Sequence, residues 1–181
     1  MNHIKKYNEL MEINTTTTND IFYHGSNIKL DTLKIMPKTS GESKFLGDGI
    51  YISNSKEVSD SYGKYTYKVI LSEPLNSLQY FEEIDMDKFQ EISDKFIQSK
   101  NESLNYIGYE IKDAIEDNEL WWGKKLISML EREGLNTTKV LLSLGYNSIE
   151  SPINKINQFR GRPDSDRNIC IIKDNIITLQ G

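Results

Sequence analysis

Three consecutive stretches decide the fold: FYHGS (22–26), FLGDGIYIS (45–53) and NSKEVSDSYGKYTYKVIL (54–71). The run Ile21–Tyr23 predicts a strand that closes at His24-Gly25-Ser26. After a polar loop at 37–44 (PKTSGESK), a Gly-Asp-Gly turn feeds a second strand over Gly49–Ser53, with Tyr51 inside it. Asn54 or Ser55 can cap a short helix reaching Tyr62, because SKEVSDSY sets acidic residues behind a capping side chain. Tyr65–Ser72 alternates as a strand and stops at Glu73-Pro74. Core packing alone gives no reason for His-Gly-Ser at one strand end and Gly-x-Gly-Ile-Tyr at another. The pair points to a cleft for a flat, polar ligand.

Outward from this segment, residues 2–13 predict a short amphipathic helix with Ile4, Leu10 and Met11 on its apolar side. TTTTND (15–20) is a polar linker. Leu30, Leu33 and Ile35 suggest a second short element. From about 81 to 135 the period becomes helical: Phe89, Ile92, Phe96, Ile97, then Leu104, Ile107, Ile111, Ile115, then Leu126, Met129, Leu130, closed by Gly134. Trp121-Trp122 opens the last of these helices, with core packing the expected role for the pair. A helix over 137–144 ends at Gly145. Strands follow at Tyr146–Glu150 and Asn168–Ile172, separated by a loop at 151–167, and Ile176–Leu179 is a last extended piece. The order is that of an α+β domain over 21–181, with a helical block of about 81–135 inserted between two halves of a sheet, and residues 1–20 as a helix and linker.

The chain's 181 residues suffice to bury about two thirds of the extended surface without staples. The formal charge of −5 argues against a general nucleic-acid binder, though not against an enzyme touching nucleic acid through a local patch. Lys155, Arg160, Arg162 and Arg167 form one basic cluster, offset by Asp164 and Asp166. One cysteine excludes an internal disulfide. MNHIKKYNELMEIN is too polar for a signal core, and no apolar run nears the roughly 18 residues of a membrane span, so a cytoplasmic chain with no membrane association is expected. Two histidines and one cysteine make no zinc constellation, so no metal is expected. Cys170, between Ile169 and Ile171, reads as a buried small hydrophobe.

The ordered set YHGS (23–26), GDGIYIS (47–53), SDSY (59–62), YKVILSEPLN (67–76), LGYNSIE (144–150) and RNICIIKDNI (167–176) resembles the diphtheria-toxin-like branch of ADP-ribosyltransferases, which includes the poly-ADP-ribose polymerases. Each piece alone is common; order and spacing carry the resemblance. It runs over about 21–72 and 140–179, leaving the first 20 residues and the helical block uncovered. It implies a split mixed or antiparallel sheet and NAD as co-substrate. It further implies that His24 hydrogen-bonds a ribose of NAD and that the backbone of Gly25, beside Ser26, pairs with the nicotinamide carboxamide. Tyr51 and Tyr62 would take the two faces of the nicotinamide ring, and Ser53 would supply a hydroxyl near the carboxamide.

The family pattern commonly places a glutamate at the start of the penultimate strand. Aligning the apolar residues of NICII puts Asn168 there. Asparagine can hydrogen-bond a hydroxyl but supplies neither a base nor negative charge. Asp166, two residues earlier, and then Glu150, on the preceding strand, are the acids that could stand in. The resemblance implies mono-ADP-ribosyl transfer from NAD to a macromolecular acceptor, protein or nucleic acid, with release of nicotinamide. The loop 36–47 would cover the cleft, and the loop 151–167 would select the acceptor. An inert NAD-binding or ADP-ribose-binding module, or an NAD glycohydrolase, are the alternatives.

Overall fold

The computed structural model describes residues 20–35, 46–155, 161–163 and 165–180. The helix expected over 2–13, the loop 37–44, Arg160 and Asp164 lie outside them. The elements in chain order are β1 Phe22–Ser26, β2 Ile50–Ser53, α1 Lys56–Asp60, β3 Tyr65–Leu71, β4 Ser77–Gln79, α2 Met86–Ile97, α3 Glu102–Glu116, α4 Gly123–Arg132, α5 Thr137–Ser143, β5 Ser148–Pro152, a 3-10 turn Ile153–Lys155, β6 Arg167–Ile171 and β7 Ile177–Gln180. The fold is α+β, with the strands in one mixed sheet ordered β4-β5-β6-β2-β1-β3-β7. Every neighbouring pair is antiparallel except β4–β5, which is parallel.

The parity of a strand sorts side chains onto two faces. Tyr23 pairs with Ser53, Ser53 with Asn168 and Tyr51 with Cys170, so these residues share one face. On it, Leu78, Ile149 and Cys170 join Phe89, Ile92, Ile107, Ile111, Leu126 and Leu130 in a core under the helices. On the other face Phe22, Ile50, Ile52, Val69, Leu71, Ile169 and Ile171 form a second core, with Leu33 and Ile35 packed on it. Leu30, Leu33 and Ile35 therefore build no helix or strand; their segment runs as an irregular cover over that face.

Caps and spacing set the helices. Asp85 accepts from the backbone N–H groups of Asp87 and Lys88 at the head of α2, Asn101 from Leu104 on α3, and Asn136 from Lys139 on α5. The periodic residues Phe89, Ile92, Phe96 and Ile107, Ile111 are buried as their spacing predicts. A Cβ on Gly108 would lie 2.7 Å from the Ile97 backbone nitrogen, so glycine is what lets α2 and α3 meet. Trp121 is buried against Phe89, whereas Trp122, heading α4, is half exposed. No helix among the described residues is long and apolar enough to cross a membrane.

β1 closes at Ser26, as its sequence leads one to expect, with His24, Gly25 and Ser26 paired to Tyr67, Thr66 and Tyr65. The strand β4 was not predicted: a three-residue strand beyond Pro74 shows no alternation long enough to read, and its pairing with β5 makes it.

Candidate functional site

β1 and β2 share a single ladder pair, Tyr23↔Ser53, and then part. The imidazole of His24 enters the opening: Nδ1 lies 2.7 Å from the carbonyl oxygen of Tyr51. A carbonyl only accepts, so Nδ1 carries the proton and Nε2 is left as an acceptor, with no partner among the described residues. Burial pushes the His24 pKa below its ordinary value, partly opposed by this hydrogen bond, and keeps the ring neutral at pH 7. Because the Tyr51 carbonyl faces β1, strand alternation turns the Gly25 backbone amide and carbonyl toward the same opening.

α1 closes one side. A Cβ on Gly25 would lie 2.0 Å from the Ser59 carbonyl oxygen and 3.0 Å from the Tyr62 Cβ. Glycine at 25 is therefore demanded by α1 itself, a packing reason that the sequence did not disclose. Ser59, buried, donates from Oγ to the Tyr23 carbonyl at 3.0 Å. Sequence reasoning passed over it, although it stands three residues before Tyr62 and so shares a helical face with it. Tyr62 is exposed beside Gly25.

Tyr51 bounds the other side. Its Oη accepts from the Leu46 backbone N–H at 2.9 Å and donates to the Gly47 carbonyl at 3.0 Å. Burial, with Cys170 next, pushes the phenol far above its ordinary pKa, so it is a wall rather than an acid or base. A Cβ on Gly49 would meet the Ile171 carbonyl at 2.4 Å, which explains the second glycine of the Gly-Asp-Gly turn. By parity the His24 side chain starts from the face opposite to that of Tyr51. The two meet only because the strands have separated.

Asn168 opposes Ser53 and shares the face of Tyr51. It is 3% exposed as a residue, and its carboxamide, which makes no hydrogen bond among the described residues, keeps contact with solvent rather than being sealed off unpaired.

The other candidates are placed differently. Ser53 is buried, donates to the Arg167 carbonyl at 2.8 Å and accepts from the Ser55 N–H at 3.0 Å, so its hydroxyl clamps β2 to β6 and does not face a ligand. Ser26 Oγ accepts from the Ile28 N–H at 3.2 Å in a local turn. Glu150 pairs with Ile169 and so lies on the face opposite to Asn168. It is held there by Arg167 Nε at 3.4 Å and Gln79 Nε2 at 3.2 Å. Asp166 immediately precedes β6, anchored through its backbone to Ile153 and Pro163. Asn54 caps nothing: its side chain receives the Arg167 N–H at 2.7 Å and donates to the Ser165 carbonyl at 2.8 Å, tying the 161–166 loop to β2. In the basic cluster, Arg162 is paired with Glu57 at 2.6 Å and Arg167 with Glu150, so the loop offers less free positive charge than its sequence suggests. No family model, curated protein or solved structure matches the chain.

Proposed function

We propose that the opening between β1 and β2 binds NAD, and that the protein is a mono-ADP-ribosyltransferase with an ADP-ribosyltransferase-type sheet. One observation carries the reading. Where the two strands part, the His24 ring meets the Tyr51 carbonyl and Gly25 lies against Ser59 and Tyr62, while Asn168 stands on the next strand, on the face of Tyr51. The nicotinamide amide would meet the Gly25 backbone, and its ring would lie between the phenols of Tyr51 and Tyr62. Neutral His24 would accept a ribose hydroxyl at Nε2. Asn168 would hydrogen-bond a hydroxyl of the nicotinamide ribose.

In the reaction the glycosidic C–N bond breaks and nicotinamide leaves with the electron pair. The sugar gathers positive charge, and the acceptor's nucleophile bonds to C1′ and releases its proton. Asn168 stabilises that charge less than a carboxylate would. Asp166, immediately before β6, would be the nearest acid in sequence to take that part. The neutral amide also favours a second reading, an NAD-binding module without turnover.

Incubation with NAD labelled in the adenylate, with and without cell lysate, separates the outcomes. Label on macromolecules, abolished by His24→Ala, supports transfer. Free ADP-ribose indicates hydrolysis, and binding without either product indicates the inert module. No binding of NAD at all ends the reading.

A further inference from the structure

His24 is the one histidine among the described residues, and its two ring nitrogens are unequal. Nδ1 lies 2.7 Å from the Tyr51 carbonyl oxygen, so the proton is fixed there and Nε2 offers a lone pair. Nε2 has no protein partner among the described residues, and it is not sealed from solvent. Two routes could turn Nε2 into a donor. Moving the proton away from Nδ1 would set two acceptors, Nδ1 and the carbonyl, face to face. Adding a second proton would charge a ring whose pKa burial already holds below the ordinary histidine value. Both cost free energy, so the ring presents an acceptor.

The neighbouring strand does not change its character. Tyr67, directly opposite His24 on β3, uses its Oη to accept the Leu30 N–H at 2.7 Å. Lys68 pairs with Tyr23 and so stands on the face opposite to the one from which His24 starts. Lys64 lies over the Tyr65 ring, 5.5 Å from its centroid. A lone pair suits a hydroxyl, which can donate to it. It repels a phosphate, whose ionised oxygens only accept and need donors or a cation to replace water.

We infer that His24 is a specificity-determining residue: it admits a dinucleotide with a free 2′-hydroxyl on the adenosine ribose and turns away one phosphorylated there. The inference rests on the NAD reading of the same opening, in which Asn168 takes the nicotinamide ribose and His24 the other. The test is calorimetric titration of the full chain at about pH 8 with NAD, with NADP, and with the NAD analogue that lacks the 2′-hydroxyl on the adenosine ribose. NADP should bind about ten- to a hundredfold more weakly than NAD, and the deoxy analogue about three- to tenfold more weakly. His24→Gln, whose carboxamide can present either an acceptor or a donor, should bring NAD and NADP to within about threefold of each other. Equal binding of NAD and NADP by the wild type, no loss with the deoxy analogue, or a full preference for NAD in the folded His24→Gln protein overturns the inference and leaves NAD binding standing. Binding of neither dinucleotide sinks the NAD reading and takes the inference with it.

Discussion

Asn168→Leu should leave the fold about as stable and the protein less able to bind NAD. The carboxamide makes no hydrogen bond among the described residues, yet its polar atoms keep contact with solvent. Leucine keeps the branch at Cγ and removes both polar atoms. No sealed, unpaired amide is relieved, and the larger methyl groups cost a little in a close-packed setting. A change within about 1 kcal/mol is expected. For a chain of this length, about 2–4 °C per kcal/mol keeps the shift in Tm within about 4 °C. In the complex the same side chain would donate or accept one or two hydrogen bonds, each worth about 1 kcal/mol or more, so the Kd for NAD should weaken about ten- to a hundredfold. Thermal melts with and without NAD read both effects at once: wild type gains stability from NAD and the variant gains much less. If ligand-free Asn168→Leu loses 1 kcal/mol or more, the amide is holding the fold together. If NAD stabilises both proteins equally, the amide does not touch it.

His24 gives a pH signature. Its folded pKa is depressed by burial, so the unfolded chain binds a proton near the ordinary histidine value while the folded chain resists it. Stability contributed by neutral His24 is present above the ordinary pKa and lost as pH falls through the lowered one. Urea unfolding at pH 7.5 and 5 should show a loss on acidification that shrinks in His24→Gln; an unchanged difference would remove burial of the ring from the account. Gly25→Ala should lower Tm by the equivalent of about 1–3 kcal/mol, because the obstacle to its Cβ is the Ser59 backbone and α1 has to move as a unit; a melt identical to wild type would show that α1 does not press on β1.

Much of the fold is legible in the sequence because periodicity is local. Tyr65–Leu71 alternates, α2 and α3 repeat their apolar residues at helical spacing, and Gly134 and Gly145 close helices with positive φ of 67° and 90°. The order of these pieces is enough to propose a sheet with helices set between its halves. Local pattern also singles out His24, Tyr51 and Tyr62 as candidates, since unusual residues at strand ends and turns stand out against a packing background.

What tertiary structure alone decides is parity and partnership. Whether Glu150 or Asn168 shares a face with Tyr51 depends on register across β5, β6 and β2, and a shift of one residue would exchange them. Whether the Ser53 hydroxyl is open or spent depends on the Arg167 carbonyl, 114 positions away in the chain. The same holds for the Asn54 clamp, the arginines neutralised by Glu57 and Glu150, and the pressure of Ser59 on Gly25. A side chain's type and its neighbours in sequence limit which bonds it can make. Only the folded chain brings up the distant backbone group that takes them, and so determines which polar atoms are left over for a ligand.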